Sequence, residues 1–292
     1  MSLELRLKHI RRFIERMPSL STTVTKVMKV CNSPNASPNE LNRLISLDPV
    51  LTGKLLKLVN SAYYGVACRI TSLTHAIIML GVNTVKNMVL ATSILTNLKM
   101  RSEIKRMPID SFWAHSLCVG VTAKAMAKAR QVPGMEQEEY FVSGLMHDMG
   151  KLPIMVCFPE LYQKALKQAA LDQAPLFEIE QALFGFDHCY VGKLIAAKWR
   201  LNTEMGMAIT DHHQPYKAGR KPNLALGSIS LANQAALQFE IGSAGDPYKN
   251  VDLFEELASL CGTTAEDILA LKQNIEQEIK KARVFLQISG KG

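Results

Sequence analysis

Histidine is the residue type from which this sequence could build a metal-binding site. Five of the seven histidines fall in four short motifs. These are Phe-Trp-Ala-His115-Ser, Leu-Met-His147-Asp148-Met-Gly-Lys, Gly-Phe-Asp-His188-Cys-Tyr-Val-Gly and Thr-Asp-His212-His213-Gln-Pro. Imidazole suits Zn and Fe, and a carboxylate can bridge hard ions. Together with Asp148, these histidines could hold one divalent ion or two.

The apolar surroundings of these histidines favour a shared ion over separate structural roles. His115 precedes the apolar helical face of Val119 and Ala123, and His188 precedes Leu194 and Ile195. For any one of them, a core histidine bonded to a polar neighbour is an adequate explanation. Burying four or five imidazoles against apolar faces costs several kcal/mol unless partners satisfy their nitrogens. One metal ion would satisfy them together.

The His147-Asp148 pair suggests how such a site would be shared. Adjacent residues on a helix diverge by roughly 100°, so the two side chains cannot grip one ion symmetrically. A bridging carboxylate could instead serve two ions. Gly150 lets another backbone segment pass closely, and Lys151 places a cation beside the site.

Length and composition indicate a globular protein with no membrane segment. The 292 residues suffice for two compact domains or one large one, and 48% are hydrophobic and 21% charged. No apolar run approaches the roughly 18 residues that span a bilayer. The first ten residues carry charges where a signal peptide needs an apolar core. Six scattered cysteines form no Cys-x-x-Cys pair, which argues against a zinc ribbon or a disulfide framework. We therefore predict a cytoplasmic protein.

Positive charge is concentrated in the first part of the chain. Residues 1–107 hold 16 Lys and Arg against 5 Asp and Glu, whereas the remainder holds 18 against 21. Such an excess suits an anionic partner, including nucleic acid. The cations are spread along amphipathic helices, however, and the longest run is Arg11-Arg12. Nucleic-acid binding is accordingly the least favoured of the functions considered.

Hydrophobic periodicity and capping signals predict an all-α fold, a multi-helix bundle. Ser37 as N-cap, Pro38 at the first helical position and Glu40 form a helix start, and Asp48-Pro49 opens the next helix similarly. Gly81 is expected to end one apolar helix before Val82–Leu98 forms another. No stretch alternates convincingly like a strand.

The chain divides into two predicted lobes and a tail. Residues 1–107 form an N-terminal helical lobe, and residues 108–240 form a lobe that holds every ligand candidate. The break is expected near Arg106-Met107-Pro108, because Pro108 disfavours helix at the preceding residue. Residues 242–247 read as a loop. The extension 245–292 is predicted to carry a capping box at Thr263 and Glu266, which leads into one helix through about Val284.

The order of histidine motifs resembles the HD superfamily of metal-dependent phosphohydrolases, and the longer pattern closely resembles its HDOD branch. The resemblance spans roughly residues 14–215 and does not cover the tail. It is carried by His-Asp-Met-Gly-Lys and by further phrases: Pro18-Ser-Leu, Asp48-Pro49, Leu58-Val-Asn-Ser-Ala-Tyr-Tyr-Gly65, Ile70-Thr-Ser, Ala76-Ile-Ile-Met-Leu-Gly81, Phe112-Trp-Ala-His-Ser, Gly144-Leu-Met-His-Asp and Phe184-Gly-Phe-Asp-His188.

The resemblance implies two metal positions of unequal quality. In the related HD-GYP phosphodiesterases, one position corresponds to Asp148, His188, His212 and His213, all present here. The other corresponds to His115, His147, the bridging Asp148 and a later aspartate, which is replaced by Asn233 in this chain. An asparagine can ligate through its carbonyl oxygen, but it is neutral. We expect one complete position and one weakened position, for one or two ions of Fe, Mn or Zn.

The resemblance also leaves two functions open. HDOD proteins are generally regarded as bacterial signal-transduction and regulatory proteins, which implies a protein partner and no need for catalysis. The alternative is a phosphohydrolase acting on a nucleotide or cyclic dinucleotide, with Asp148 as catalytic metal ligand and Lys151 as phosphate contact. The Gly-Tyr-Pro element of cyclic-di-GMP phosphodiesterases is absent, since the paired histidines are followed by Gln214-Pro215-Tyr216. The regulatory function is therefore preferred, and whether the chain is an enzyme stays open.

Overall fold

The computed structural model describes residues 1–31, 33, 36–98, 109–216 and 223–290. These residues form helices and no strand, which confirms the all-α prediction. The first six helices are α1 Leu3–Arg16, α2 Thr22–Cys31, α3 Pro38–Ile45, α4 Pro49–Val59, α5 Leu73–Leu80 and α6 Val82–Asn97. The next eight are α7 Ile109–Ala129, α8 Gly134–Met146, α9 Lys151–Cys157, α10 Pro159–Asp172, α11 Leu176–Phe184, α12 His188–Trp199, α13 Thr203–Asp211 and α14 Leu224–Phe239. Four follow them: α15 Val251–Leu260, α16 Ala265–Ala270, α17 Lys272–Ala282 and α18 Val284–Gly290.

Local capping defines the helix starts of the N-terminal region as the sequence predicted. The side chains of Ser37 and Asp48 accept hydrogen bonds from backbone N–H groups three residues later, and a proline follows each at the first helical position. Gly81, with φ 84°, separates α5 from α6. Among the described residues, no single helix is long and apolar enough to span a membrane; α5 and α6 pass that test only together, as a pair bent by 116°.

Helix α6 lies at the centre of the N-terminal region. Every residue of this helix from Thr84 to Thr92 is buried. Helices α2, α4, α5, α8 and α18 all pack against α6, so this stretch has no solvent face. A helix that is enclosed on all sides loses the polar stripe that normally reveals it in a sequence.

The pair α7 and α8 forms the framework of the metal-site region. The two helices cross where Gly120 meets Gly144: a Cβ on Gly144 would stand 2.7 Å from the Gly120 Cα. Their backbones can approach this closely because neither residue has a side chain. Gly150 allows a second close approach, since a Cβ there would stand 1.9 Å from the His188 carbonyl oxygen. The start of α9 therefore lies directly against the start of α12.

The C-terminal extension packs on both other parts of the chain. Helix α17 contacts α7, and α18 contacts α4 and α6. The ring of Phe285 lies 5.2 Å from that of Tyr63 and 4.9 Å from that of Phe141, measured between centroids. The predicted lobe boundary at Arg106, Met107 and Pro108 lies outside the described residues.

The helix start predicted in the extension was wrong by one residue. The capping box is formed by Thr264 and Asp267, whose side chains each accept from the other's backbone N–H. Thr263 instead donates its N–H to Ala258 and closes α15. The expected single helix is also divided in two at Leu271, while its second part, α17, ends at Ala282, close to the expected end at about Val284. Ile268 of α16 is buried, whereas the adjacent Leu269 is exposed.

Candidate metal centre

The residues of the histidine motifs come from the interior of one helix and from the ends of several others. His115 lies within α7, His147 is the C-cap of α8, and Asp148 follows in the turn before α9. His188 begins α12, whereas His212 and His213 follow the end of α13. The side chains of His115, His147, Asp148, His188 and His212 are all at most 2% exposed. Residues separated by up to 98 positions in the chain thus share one buried cluster.

One oxygen of Asp148 faces three histidines. Its Oδ1 lies 3.2 Å from His188 Nε2 and 3.6 Å from His212 Nε2, and His213 Nε2 lies 3.1 Å from His188 Nε2. One ligand atom from each of these four residues falls within 4.8 Å of the other three. Tetrahedral ligands bound at about 2.0–2.1 Å stand roughly 3.3–3.4 Å apart. The three separations of 3.1–3.6 Å are close to this spacing, so the donor set could surround one divalent ion.

The other oxygen of Asp148 faces a poorer set. Its Oδ2 lies 3.7 Å from His115 Nε2 and 3.3 Å from His147 Nε2. Lys151 donates to the same oxygen at 2.8 Å. Asn233 of α14, also buried, lies beside the His115 side chain. An ion on this side would share its carboxylate oxygen with an ammonium group and would gain only a neutral amide from Asn233.

Hydrogen bonds on the outer ring nitrogens aim three imidazoles at the centre. His147 Nδ1 donates to the Gly144 carbonyl at 2.7 Å, and His212 Nδ1 donates to the Ala208 carbonyl at 2.9 Å. His188 Nδ1 donates to Glu180 Oε2 at 2.6 Å. In a neutral ring, a donating Nδ1 leaves Nε2 with its lone pair directed inward, which is the tautomer that binds a metal.

Glu180 is the site residue that sequence reasoning missed. It is fully buried on α11, and its Oε2 also accepts the backbone N–H of His188 at 2.8 Å. A signal was available, because Leu176, Glu180 and Phe184 recur every four residues as the buried face of α11. A carboxylate on such an apolar stripe needs a partner inside the protein.

Unsatisfied polar atoms supply an independent indication of a cation. Among the residues that the structure describes, His147 Nε2, His212 Nε2 and Asp148 Oδ1 have no hydrogen-bond partner, although all three atoms are buried. With their Nδ1 atoms protonated, these imidazoles point lone pairs at a carboxylate. Buried polar atoms nearly always find partners. An ion at the position of Asp148, His188, His212 and His213 would satisfy His212 Nε2 and Asp148 Oδ1, and His147 Nε2 faces the other position. The residues present therefore fit a divalent metal.

The protonation states suit ligation. Burial lowers the pKa of His115 to about 3, where the neighbouring His147 adds to the effect, and burial likewise lowers the pKa of His212 to about 3. Both rings are neutral at pH 7. Burial raises the pKa of Asp148, but its interactions with His147 and with the charge of Lys151 outweigh this effect and hold that pKa well below its ordinary value. A neutral imidazole and an ionised carboxylate are the forms that bind metal.

Lys151 is held inside the cluster. Burial lowers its pKa, yet the charge of Asp148 outweighs this effect, so the net pKa is raised and Lys151 keeps its proton. Asp246, which the sequence assigned only to a loop, adds a further charge to these surroundings. Burial raises the pKa of Asp246, and the charge of Lys151 opposes that rise. The loop reaches the site because Gly242, with φ 69°, packs against the His115 backbone.

A surface cavity of about 360 Å³ adjoins the cluster at His213. It is lined by Phe177, Gln181, Asp187, Cys189, Tyr190, Lys193, Thr210, Asp211, His213 and Gln214. The ring of Phe177 stacks on that of His213, with centroids 4.8 Å apart and 20° between the planes. His213 thus has one side towards the other ligands and one towards the cavity, whereas Lys151 is not among its lining residues.

The fold and the site together define a class of protein: an all-helical protein with a buried cluster of five histidines and one aspartate. A sequence model of the HDOD domain matches residues 17–215, most of the chain. The chain therefore belongs to the HDOD family.

Three solved structures have the same fold. An HDOD domain protein of unknown function from Geobacter sulfurreducens is 24% identical, with a TM-score of 0.75 over 97% of this chain and 98% of that one. A proposed phosphohydrolase from Shewanella amazonensis SB2B is 20% identical, with a TM-score of 0.72 over 95% and 98%. A proposed signal transduction protein from Marinobacter aquaeolei VT8 is 17% identical, with a TM-score of 0.74 over 99% and 66%.

A curated relative extends well beyond the matched region. It is an uncharacterised protein of Treponema pallidum (strain Nichols), 23% identical over 238 residues, which are 82% of this chain. The chain spans only 45% of the length of that relative.

Proposed function

We propose that this protein is a regulatory signal-transduction module in which a buried metal centre fixes one arrangement of helices that a protein partner recognises. The observation that carries the proposal is burial. Five of the six histidine and aspartate side chains in the cluster are at most 2% exposed. In addition, Lys151 donates a hydrogen bond to Oδ2 of Asp148, the carboxylate that would bridge two ions. A hydrolytic metal needs an open position for water and room for a phosphate. A closed centre suits a structural or sensory role better.

The complete position would hold the ion. Asp148, His188, His212 and His213 would be its ligands, with Fe, Mn or Zn as candidate metals. A bound ion would supply a positive charge that cross-links its ligands. Because these residues come from the α8–α9 turn, the start of α12 and the end of α13, their positions would depend on that link. Loss of the ion would leave lone pairs facing a carboxylate and would favour separation of the helices.

Metal content and partner binding test this proposal together. We expect about one ion per chain by mass spectrometry of protein purified without chelator, and a large loss in Asp148→Ala. The matched control is His75→Ala, because His75 is exposed and lies outside the cluster. A partner captured by the wild type and by His75→Ala, but not by Asp148→Ala, supports regulation. A wild-type protein without metal, or a partner that binds Asp148→Ala equally well, contradicts it.

A second function, metal-dependent hydrolysis of a phosphodiester, is favoured by the cavity at His213. A nucleotide or cyclic dinucleotide in that cavity would meet the complete position through its most accessible ligand. The test is turnover of bis(4-nitrophenyl) phosphate and of a cyclic dinucleotide with Mn or Fe. Turnover lost in Asp148→Ala but retained in His75→Ala would make the protein an enzyme. Absence of turnover in metal-loaded protein would reject this alternative.

A further inference from the structure

The burial of the metal cluster raises the question of how an ion reaches it. Asp148, His188 and His212 are at most 2% exposed, whereas His213 is half-buried. Among the four residues of the complete position, His213 alone lines the 360 Å³ cavity. Any ion that enters from this cavity meets His213 first.

His213 is also the ligand candidate with the least rigid support. The Nδ1 atoms of His188 and His212 each donate a hydrogen bond that fixes the ring. Within the described part of the chain, no such bond is made by Nδ1 of His213. Its orientation depends on the face of Phe177 on one side and on His188 on the other. A stacking contact resists ring rotation less than a buried charged hydrogen bond does.

The cavity wall carries groups that attract a hydrated cation. Asp187 and Asp211 contribute two negative charges, and Lys193 contributes one positive charge. The lining without His213 therefore has a net charge of −1, which attracts cations. One Asp187 oxygen is used as the N-cap of α12, where it accepts from the Tyr190 backbone. Asp211 ends α13 and immediately precedes the paired histidines. Carboxylate and amide oxygens are suitable transient ligands for a divalent ion that still holds water.

We propose that the cavity is the entry and exit route for the metal, with His213 as the movable ligand, Phe177 as the residue that positions it, and Asp211 as the outer carboxylate that captures the arriving ion. The ring of His213 turns from His188 into the cavity and exposes the other three ligands. The ion passes from Asp211 to this set, and His213 then returns against Phe177. This inference rests on the proposed metal centre, and it adds a pathway that the centre alone does not require.

Metal exchange kinetics test the pathway without any assay of activity. Zn-loaded protein is mixed with excess chelator and a colorimetric zinc indicator, and uptake is followed separately after addition of Zn²⁺ to the apoprotein. Phe177→Ala is expected to accelerate loss roughly 2- to 10-fold, the range set by one aromatic contact. Phe177→Trp, which retains a stacking face, is expected to lose metal at the wild-type rate. Asp211→Asn is expected to slow uptake and to leave the final content near one ion per chain.

Two controls make the outcomes distinct. Phe13→Ala removes a half-buried ring on α1, and Asp172→Asn removes an exposed carboxylate on α10; neither residue lines the cavity. Wild-type loss rates in Phe177→Ala, or equal effects of Phe13→Ala, would overturn the pathway while the metal centre stands. Unchanged uptake in Asp211→Asn would remove Asp211 from it. A wild-type protein that takes up no metal would instead refute the proposed function itself.

Discussion

Replacing Glu180 is the most direct test of how the second layer of residues shapes the metal centre. Glu180 does not face the proposed ion, yet its Oε2 accepts both the Nδ1–H and the backbone N–H of His188. The substitution Glu180→Gln keeps the size of the side chain and removes its charge. The amide oxygen of the glutamine can still accept a hydrogen bond. Its amide nitrogen is a donor, and His188 presents only donors to this side chain. The perturbation therefore changes the support of one ligand without changing any ligand.

The expected loss follows from the contacts. Burial lowers the pKa of His188, but the charge of Glu180 outweighs it, and the net pKa stands well above the ordinary value. The carboxylate therefore makes His188 a stronger base, and an ion that binds its Nε2 would displace the proton that the ring carries in the apoprotein. Removing such an outer partner typically weakens metal binding by about 10- to 100-fold, or roughly 1.4–2.7 kcal/mol. In the apoprotein, a buried donor left without an acceptor costs about 1–3 kcal/mol of folding free energy.

The assay is a competitive titration of Zn²⁺ with a chelating dye, together with urea unfolding of the apoprotein followed by circular dichroism. Glu178→Gln is the matched control, because Glu178 lies on the same helix but is exposed. We expect Glu180→Gln to bind more weakly and Glu178→Gln to match the wild type. Equal affinities for the two variants would refute the argument that Glu180 orients His188. Weaker folding with unchanged affinity would assign Glu180 a purely structural role.

Three further predictions follow from other contacts. Asn233→Asp would restore a carboxylate beside His115, so metal content should rise from about one ion towards two; an unchanged ratio, by mass spectrometry, would contradict the weakened second position. Gly144→Ala would place its Cβ 2.7 Å from the Gly120 Cα, and urea unfolding should show a loss of about 1–3 kcal/mol, whereas Gly53→Ala, which meets no atom within 4 Å, should not. Among the thiols, burial raises the pKa of Cys31 to about 11 and that of Cys118 to about 12. Because the thiolate is the form that reacts, the exposed Cys68 should account for the fast phase of the reaction with a thiol reagent at pH 8. That fast phase should be absent in Cys68→Ser.

The sequence was sufficient to predict those features of the fold that depend on residues close together along the chain. The starts of α3 and α4 were predictable because Ser37 and Asp48 bond to backbone groups three residues away. The same local logic erred at α16, where Thr263 and Thr264 offer overlapping capping patterns. Only the end of α15, which uses the N–H of Thr263, decided between them.

The candidate site was predictable in composition but not in arrangement. The motif order identified His115, His147, Asp148, His188, His212, His213 and Asn233, and the structure brings all of them into one cluster. Their division between the two oxygens of Asp148 depends on the packing of α7, α8, α12 and α13, which no local pattern encodes. Lys151, expected to contact a phosphate, donates a hydrogen bond to Asp148. The phosphate-contact role of Lys151 was predicted from its residue type, whereas the direction of its ammonium group depends on the turn before α9.

The amino-acid sequence by itself therefore determined the helical class, the starts of α3 and α4, the family and the residue types of the candidate site, since each depends on short-range spacing or on motif order. Tertiary packing alone decided which atoms face one another. Glu180 reaches His188 because α11 lies against α12, and His213 borders a cavity because Phe177 approaches it from another helix. Such contacts join positions that are far apart in the chain, and their distances are set by the close packing of whole helices. That packing makes the centre closed on most sides and accessible at His213.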